Sequence, residues 1–459
     1  MKRQMLETAL NEIRDTFIVE AAYARKQRRP YWIGAVAALL ALVLLWNGSG
    51  LTLALQAKAV STAQYPKEET WLRQSEEMDA ARQQLHSFFC TSLSQCLSSS
   101  GNENQTYSPI NLYMALSLAA ELSSGESQEQ ILALTGAASM DSLRAQANQV
   151  WNASYYDDHN QTLLANSLWL DEDLRYNQFV MDTLAQNYYT SVYQTDLGSA
   201  AGNRAIQSWL NGQTSGFLKQ SVKNAGIQAE PGAFPVFALY STVFFRAKWS
   251  NQVKFRSADN ETGVFHAPSG DRTATYMNKQ ELQTTYYWGE HFGAVALSMK
   301  DGSDMWLILP DKGKTVEDVL SGSQYVDMIL DPYSYKGDDE QGKYMKVNLR
   351  LPKFDIHANG NLRADLENMG VTDIFDPQAA DFSGSLDGNY PVWLTSVNQA
   401  TRVAIDEEGV TAASYIEIPG AGAAAPPEES IDFILDRPFL FVITNRYQLP
   451  LFAGIVNEP

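Results

Sequence analysis

The chain has 459 residues, 45% hydrophobic and 19% charged, an ordinary globular composition with room for one large domain or several small ones. Its formal net charge is −19, and residues 1–30 carry seven Lys/Arg against four Asp/Glu, so the remainder carries −22. A polyanion of that size repels nucleic acid and acidic lipid headgroups, which sets DNA and RNA aside as partners.

The first thirty residues read as a helix, because Leu6, Leu10, Ile13 and Phe17 recur on one face. Lys26, Arg28 and Arg29 then lead into Tyr31–Trp46, an uncharged run with aromatic residues at both ends. That run is shorter than the ~20 residues a spanning helix wants. Asn47-Gly-Ser-Gly50 interrupts it, and Leu51–Leu55 can extend it. No basic cluster follows, so the positive-inside rule leaves 1–30 in the cytoplasm and the bulk of the chain outside. A cleaved signal peptide is the rival reading, since Ala57-Lys58-Ala59 has the look of a processing site. The long leading segment and the distance of that site from the apolar run favour an uncleaved anchor. The cytoplasmic helix can serve a partner or lie on the membrane surface. Residues 47–78, mixed in composition and without sustained periodicity, read as a stalk.

From Asp79 to the end the patterning is continuous, without an obvious linker, and reads as one α+β domain. Phe89, Leu93 and Leu97 share a helical face, and Ile110–Leu134 reads as a helix entered through Ser108-Pro109. Phe234–Trp249 reads as a buried strand. Further strands are expected at Gly293–Met299, Met305–Leu309, Lys346–Leu351, Val392–Leu394, Thr401–Asp406, Ile431–Leu435 and Phe439–Thr444. Cys90 and Cys96, the only cysteines, stand too far apart on a helix to bridge. The five histidines lack metal-ligand spacing, and no nucleophile elbow, P-loop, dinucleotide fingerprint or zinc motif is present. No metal, cofactor or enzymatic activity is expected.

A series of short motifs, in order, resembles the serpin family over about 380 residues of the chain. They include Tyr107-Ser-Pro-Ile-Asn111, Asn166-Ser-Leu-Trp169 and Trp209 with Thr214 and Gly216. Phe244-Phe-Arg-Ala-Lys-Trp249, Leu307-Ile-Leu-Pro310, Leu351-Pro-Lys-Phe354 and Met369–Phe375 follow. Ala380-Asp-Phe-Ser-Gly384, Ile405-Asp-Glu-Glu-Gly409, Arg437-Pro-Phe-Leu-Phe441 and Pro450–Val456 complete the series. The resemblance implies three β-sheets, eight or nine helices and an exposed reactive-centre loop near the C-terminus. It also implies a breach at Trp249 and a shutter involving Ser108, with Gln207 and Gln399 where the family usually places Asn and His. Two amides at that latch can bond each other.

The loop runs from Gly409 to about Pro427. Val410, Ala412, Ser414, Ile416 and Ile418 form one alternating set, small or apolar, while Thr411, Ala413, Tyr415 and Glu417 form the other. A period of two is a strand signal, unexpected in an exposed loop. In the family the cleaved loop enters the main sheet as a new strand and traps the protease, and the first set suits the buried face of such a strand. By this resemblance Glu407, Glu408, Gly409, Val410, Thr411, Ala412, Ala413 and Ser414 form the hinge. Pro419 would break one ladder bond late in insertion. Counting from Glu407 in the family's register places the scissile bond at Ala423–Ala424, to within a residue or two. Every residue from Gly420 to Ala425 is Gly or Ala, which suits an elastase-like or subtilisin-like serine protease with a small apolar pocket. The expectation is a suicide inhibitor forming a covalent complex on the outer, bacterial cell surface. A non-inhibitory binding protein and a protease-sensing membrane signalling protein are the alternatives.

Overall fold

The computed structural model describes residues 57–63, 65, 75–98, 101–157, 161–213, 236–337, 341–387, 391–410 and 427–459. The N-terminal helix, the span 31–46 and loop residues 411–426, with Ala423 and Ala424, lie outside them. Among the described residues no helix is long and apolar enough to cross a membrane.

Helix α1 (Ser75–Ser98) buries Phe89, Leu93 and Leu97, as their spacing predicts, and both of its cysteines are free. Helix α2 (Pro109–Leu122) opens with Ser108 as N-cap, whose Oγ accepts from Asn111 N at 3.3 Å, and with Pro109 in the first turn. The sequence reads 110–134 as one helix, but the structure breaks it. Ser123 and Ser124 are extended and Gly125 has φ 56°, so α3 (Gly125–Thr135) starts afresh. The break is satisfied from outside: Ser124 N donates to Asp381 O at 2.8 Å and Ser385 Oγ to Leu122 O. Helix α4 (Met140–Ser154) follows.

The large sheet runs β1 (Lys58–Ser61), β6 (Thr190–Thr195), β4 (Gln161–Asp171), β7 (Phe237–Lys248) and β16 (Gly409–Val410), with β3 (Tyr156–Asp157) paired to β4. An antiparallel pair, β13 (Asp355–Asn361) and β15 (Asn398–Ala404), joins it through the Ile405–Val410 bridge. Helix α5 (Gln178–Asn187) packs beside β6, and α6 (Ala200–Gln213) lies over the sheet. Under α6, buried Trp169, Ile206 and Trp209 form a second core, and Ala238 and Tyr240 of β7 and Ala400 of β15 pack against it.

The remaining strands form one nine-stranded ladder. Its order is β17 (Ser430–Ile434), β12 (Gly342–Pro352), β9 (Gly270–Gly289), β10 (Phe292–Ser298), β11 (Asp304–Pro310), β18 (Phe439–Thr444), β19 (Pro450–Val456) and β2 (Gln105–Tyr107), with β8 (Glu261–Ala267) on β9. The 20-residue β9 joins two sheets into one ladder; with the large sheet they make the expected three, beside a small pair of β5 (Arg175–Tyr176) and β14 (Leu386–Asp387). Four short helices, α7 (Val316–Leu320), α8 (Gln324–Leu330), α9 (Pro332–Gly337) and α10 (Arg363–Asn368), bring the described helices to ten. Val392–Leu394 is not a strand: both end residues are buried, but the segment carries no ladder.

Part of the expected stalk is folded onto the domain. Lys58 and Ala59 pair with Gln194 and Tyr193 on β6, Ser61 Oγ donates to Asp182 at 2.7 Å, and Ala63 N to Ser191 Oγ at 3.3 Å. Tyr65 then stacks on Trp151, Tyr155 and Tyr189 at ring separations of 5.4, 5.6 and 6.3 Å. Aromatic pairs contribute ~0.5–1.5 kcal/mol each beyond burial. Because the residue as a whole is 36% exposed, Tyr65→Ala is expected to cost about 1–3 kcal/mol in total. Urea unfolding of the full chain reads this as a lower midpoint at unchanged slope. An unchanged midpoint would show that the strap is not fastened through Tyr65.

Candidate functional site: the hinge and the latch

The chain leaves β15 through Ile405 and turns sharply at Asp406. The Asp406 carboxylate accepts from Glu408 N at 2.8 Å and Gly409 N at 3.2 Å, and the Asp406 carbonyl accepts the Trp249 indole N–H at 2.8 Å. Trp249, 1% exposed, also donates its backbone N–H to Glu408 O at 3.1 Å. Trp249 therefore holds the turn from both sides. Glu407 is tied to Lys353 Nζ at 2.6 Å and receives the Asn260 amide. Burial by itself pushes the Glu407 carboxyl up, but Lys353 and Asn260 outweigh it and hold it below the usual range. Glu408 reaches Lys248 Nζ at 3.7 Å.

These ties aim the next two residues into the large sheet. Gly409 pairs with Lys248 and Val410 with Ala247 on β7, while Val410 also bridges Ile405. Gly409 has φ 151°, and a Cβ there would lie 2.2 Å from Ala247 O. Only glycine fits that approach. Gly409→Ala is expected to lift the hinge from β7 and raise amide exchange at Val410, whose partner strand it would no longer reach, by about tenfold or more. Unchanged protection there would show that β7 can yield to the methyl group.

Further down the sheet, the two strands β7 and β15 are each tied by side-chain bonds to the start of α2 or the strand before it. On the β15 side, Ser108 N donates to Gln399 Oε1 at 2.7 Å and Gln399 Nε2 to Ser108 O at 3.1 Å. Thr401 Oγ1 donates to Thr106 O at 2.7 Å. On the β7 side, Asn111 Nδ2 donates to Ser241 O at 3.0 Å, and Ser241 Oγ to Asn166 Oδ1 at 2.7 Å. Among the described strands, no ladder joins β7 to β15. The gap between β7 and β15 is thus entered at one end by β16, and no other described strand lies in it.

Trp249, Glu407, Glu408, Gly409 and Val410 meet at the turn beyond the end of β15, while Ser108 and Gln399 meet near its start. Gln207 does not join the latch. It stands on α6, and both amide atoms of Gln399 are taken by Ser108. The expected amide–amide bond is replaced by an amide clasping one backbone unit, with Asn111, Ser241 and Asn166 serving the other strand. Thr411, Ala412, Ala413, Ser414, Ala423 and Ala424 lie outside the described residues.

One trio resembles a catalytic set but lacks a nucleophile. His86 Nε2 lies 2.5 Å from Asp327 Oδ1, and Cys90 Sγ is 3.7 and 3.8 Å from the two ring nitrogens. A sulfur nearly equidistant from both nitrogens does not lie along either lone pair. Burial, reinforced by the Asp327 charge, pushes the thiol up to about 11, so it stays protonated.

A mixed α+β body in which Gly409 and Val410, at the start of the alternating segment, form a stub of strand on the large sheet defines the class. The chain belongs to the serpin (serine protease inhibitor) family, whose model matches residues 84–459. It is 25% identical to serpin-Z2B of Oryza sativa subsp. japonica, covering 78% of this chain and 92% of that protein. It is also 25% identical to plasminogen activator inhibitor 1 of Neovison vison, over 80% and 90% of the two chains. The thermophilic serpin tengpin in its native state superposes with TM-score 0.72 at 22% identity, covering 88% of this chain and all of that one. Thyroxine-binding globulin with thyroxine gives 0.66 at 21% identity, over 82% and 99%. At such identity the structural likeness shows the fold alone.

Proposed function

We propose that this chain is a suicide inhibitor of serine proteases with small-residue, elastase-like or subtilisin-like specificity, tethered to a membrane by residues 31–46. The observation that carries the reading is the buried pairing of Gly409 and Val410 with β7, at the mouth of a seam between β7 and β15 that no ladder closes among the described strands. Continuing the alternation of 410–418 along that seam would add one strand and bury the small, apolar set. The protease supplies the chemistry: its acyl intermediate is held while the loop, freed at one end, enters the sheet. The Gly/Ala run 420–425 supports the small-pocket assignment. The family membership and the name of the plasminogen activator inhibitor relative support inhibition as the activity.

The anchor reading places 1–30 in the cytoplasm and the serpin domain outside, on a bacterial surface. The strap supports an uncleaved chain, since processing after Ala59 would remove the two residues that pair with Gln194 and Tyr193. The test uses the full chain in detergent, mixed with elastase-, trypsin- and subtilisin-like enzymes and run on a denaturing gel. A covalent complex with the first or last class is expected, with cleavage between Gly420 and Ala425 by mass spectrometry. Clean turnover without a trapped complex would replace this reading with a non-inhibitory binding or sensing role. Protease added to intact cells should remove the outer domain and spare residues 1–30; a mature N-terminus at Val60 would overturn the anchor.

A further inference from the structure

A cleft of about 900 Å³ opens between residues 254–261 and strands β9, β12 and β17. In a chain of net charge −19, it gathers four cations, Lys254, Arg256, Lys279 and Arg350, against Asp259, Glu261 and Asp432. The acids are largely accounted for. Asp259 is engaged bidentately by Arg256 at 2.7 and 3.0 Å, Asp432 accepts from Asn348 Nδ2 at 2.8 Å, and Glu261 is exposed at the start of β8.

Three cations are left without a carboxylate partner among the described residues. Lys279 Nζ donates only to a carbonyl, Lys254 O, at 3.2 Å. Its ammonium is held below the usual range by burial and by nearby Arg256, so positive charges are crowded here. Arg350 lies over the Tyr276 ring at 4.3 Å, with its Nε buried and unpaired. Its place depends on Gly263, where a Cβ would come within 2.2 Å of Nη2. A guanidinium held by stacking keeps its donor edge for an acceptor that the described residues do not supply.

We propose that this cleft binds a small multivalent oxyanion, a compound with two or more carboxylate or phosphate groups, through Lys254, Lys279 and Arg350. Its position gives the site a consequence. Asn260 donates to Glu407 of the hinge, while Asp432 and Ile434 belong to β17, the strand that receives the chain after the loop. An occupant therefore touches elements joined to both feet of the loop.

The test is calorimetric titration of the full chain in detergent with inorganic phosphate, pyrophosphate and succinate, each against chloride at equal ionic strength. Saturable 1:1 binding of at least one of the three is expected. Lys254→Gln with Lys279→Gln should weaken it about tenfold or more, while Lys312→Gln, an exposed lysine of the β11–α7 connection, should leave it unchanged. Preference for succinate or for the phosphates assigns the group within the class. No saturable heat with any probe, or equal weakening by Lys312→Gln, overturns the site. No protease is used, so the outcome is independent of the inhibitory reading.

Discussion

Val410→Arg is expected to turn the inhibitor into a substrate: the loop is cut at the same bond, but little protease is trapped. Val410 is 3% exposed, paired to Ala247 on one side and bridged to Ile405 on the other. An arginine there withdraws residue 410 from the sheet, so that insertion of the cut loop has first to bury the cation again. Burying an unpaired cation costs about 3 kcal/mol or more, which slows insertion about a hundredfold if borne by the first step. Hydrolysis of the acyl intermediate then wins. Thr411, assigned by the alternation to the opposite face, should tolerate arginine at far less cost. The measurement is the number of inhibitor molecules consumed per protease inactivated. Equal values for Val410→Arg and Thr411→Arg would remove the claim that alternate residues of this loop are built for burial.

The basis of this prediction was legible in the sequence, since residues 410–418 keep the period of two that an inserting strand needs. Strongly periodic, apolar elements were legible for the same reason. Phe439–Thr444 is a strand with the bounds its residues predict, and Phe89, Leu93 and Leu97 mark one buried helix face. Strand β9 was hidden. Its Asn278-Lys-Gln-Glu281 stretch carries little strand propensity, and the strand is held by ladders to β8, β10 and β12 that the residues themselves do not announce. The helix break at Gly125 was masked by the Leu/Ala-rich segments on both sides. The strap, likewise, looks like linker until Tyr65 meets three aromatic rings from distant parts of the chain.

The latch was only half legible. Ser108 and Gln399 were found through the resemblance, but the partner of Gln399 is a backbone unit, which leaves no trace in a sequence. Asn111 stood inside the quoted motif without a role. Ser241 did leave a signal, as a polar interruption of the apolar run 234–249, and the structure shows why it is there: its carbonyl and hydroxyl connect α2 to β4.

The latch also carries a pH signature. Gln399 is 9% exposed and clasps Ser108 with both amide atoms. Gln399→Leu orphans the Ser108 N–H, because Ser108 O still accepts from Leu112 N at 3.1 Å. A buried orphan donor costs about 1–3 kcal/mol, with no dependence on pH. Gln399→Glu differs. The ionised carboxylate can still accept from Ser108 N, but its second oxygen faces Ser108 O with nothing to donate, and the charge is buried. Protonation restores the donor, so the folded-state pKa of the introduced carboxyl is raised above its unfolded value of ~4.3. A raised folded pKa means stability that is present below the unfolded value and lost as pH rises toward the folded one. The deficit relative to the parent chain should therefore be small near pH 4 and grow by about 1.4 kcal/mol per unit, to at most about 4 kcal/mol at pH 7. Urea unfolding of both variants between pH 4 and 8, with the parent subtracted, separates the two shapes. A flat profile for Gln399→Glu would show that the amide N–H of Gln399 is not what holds β15 to α2.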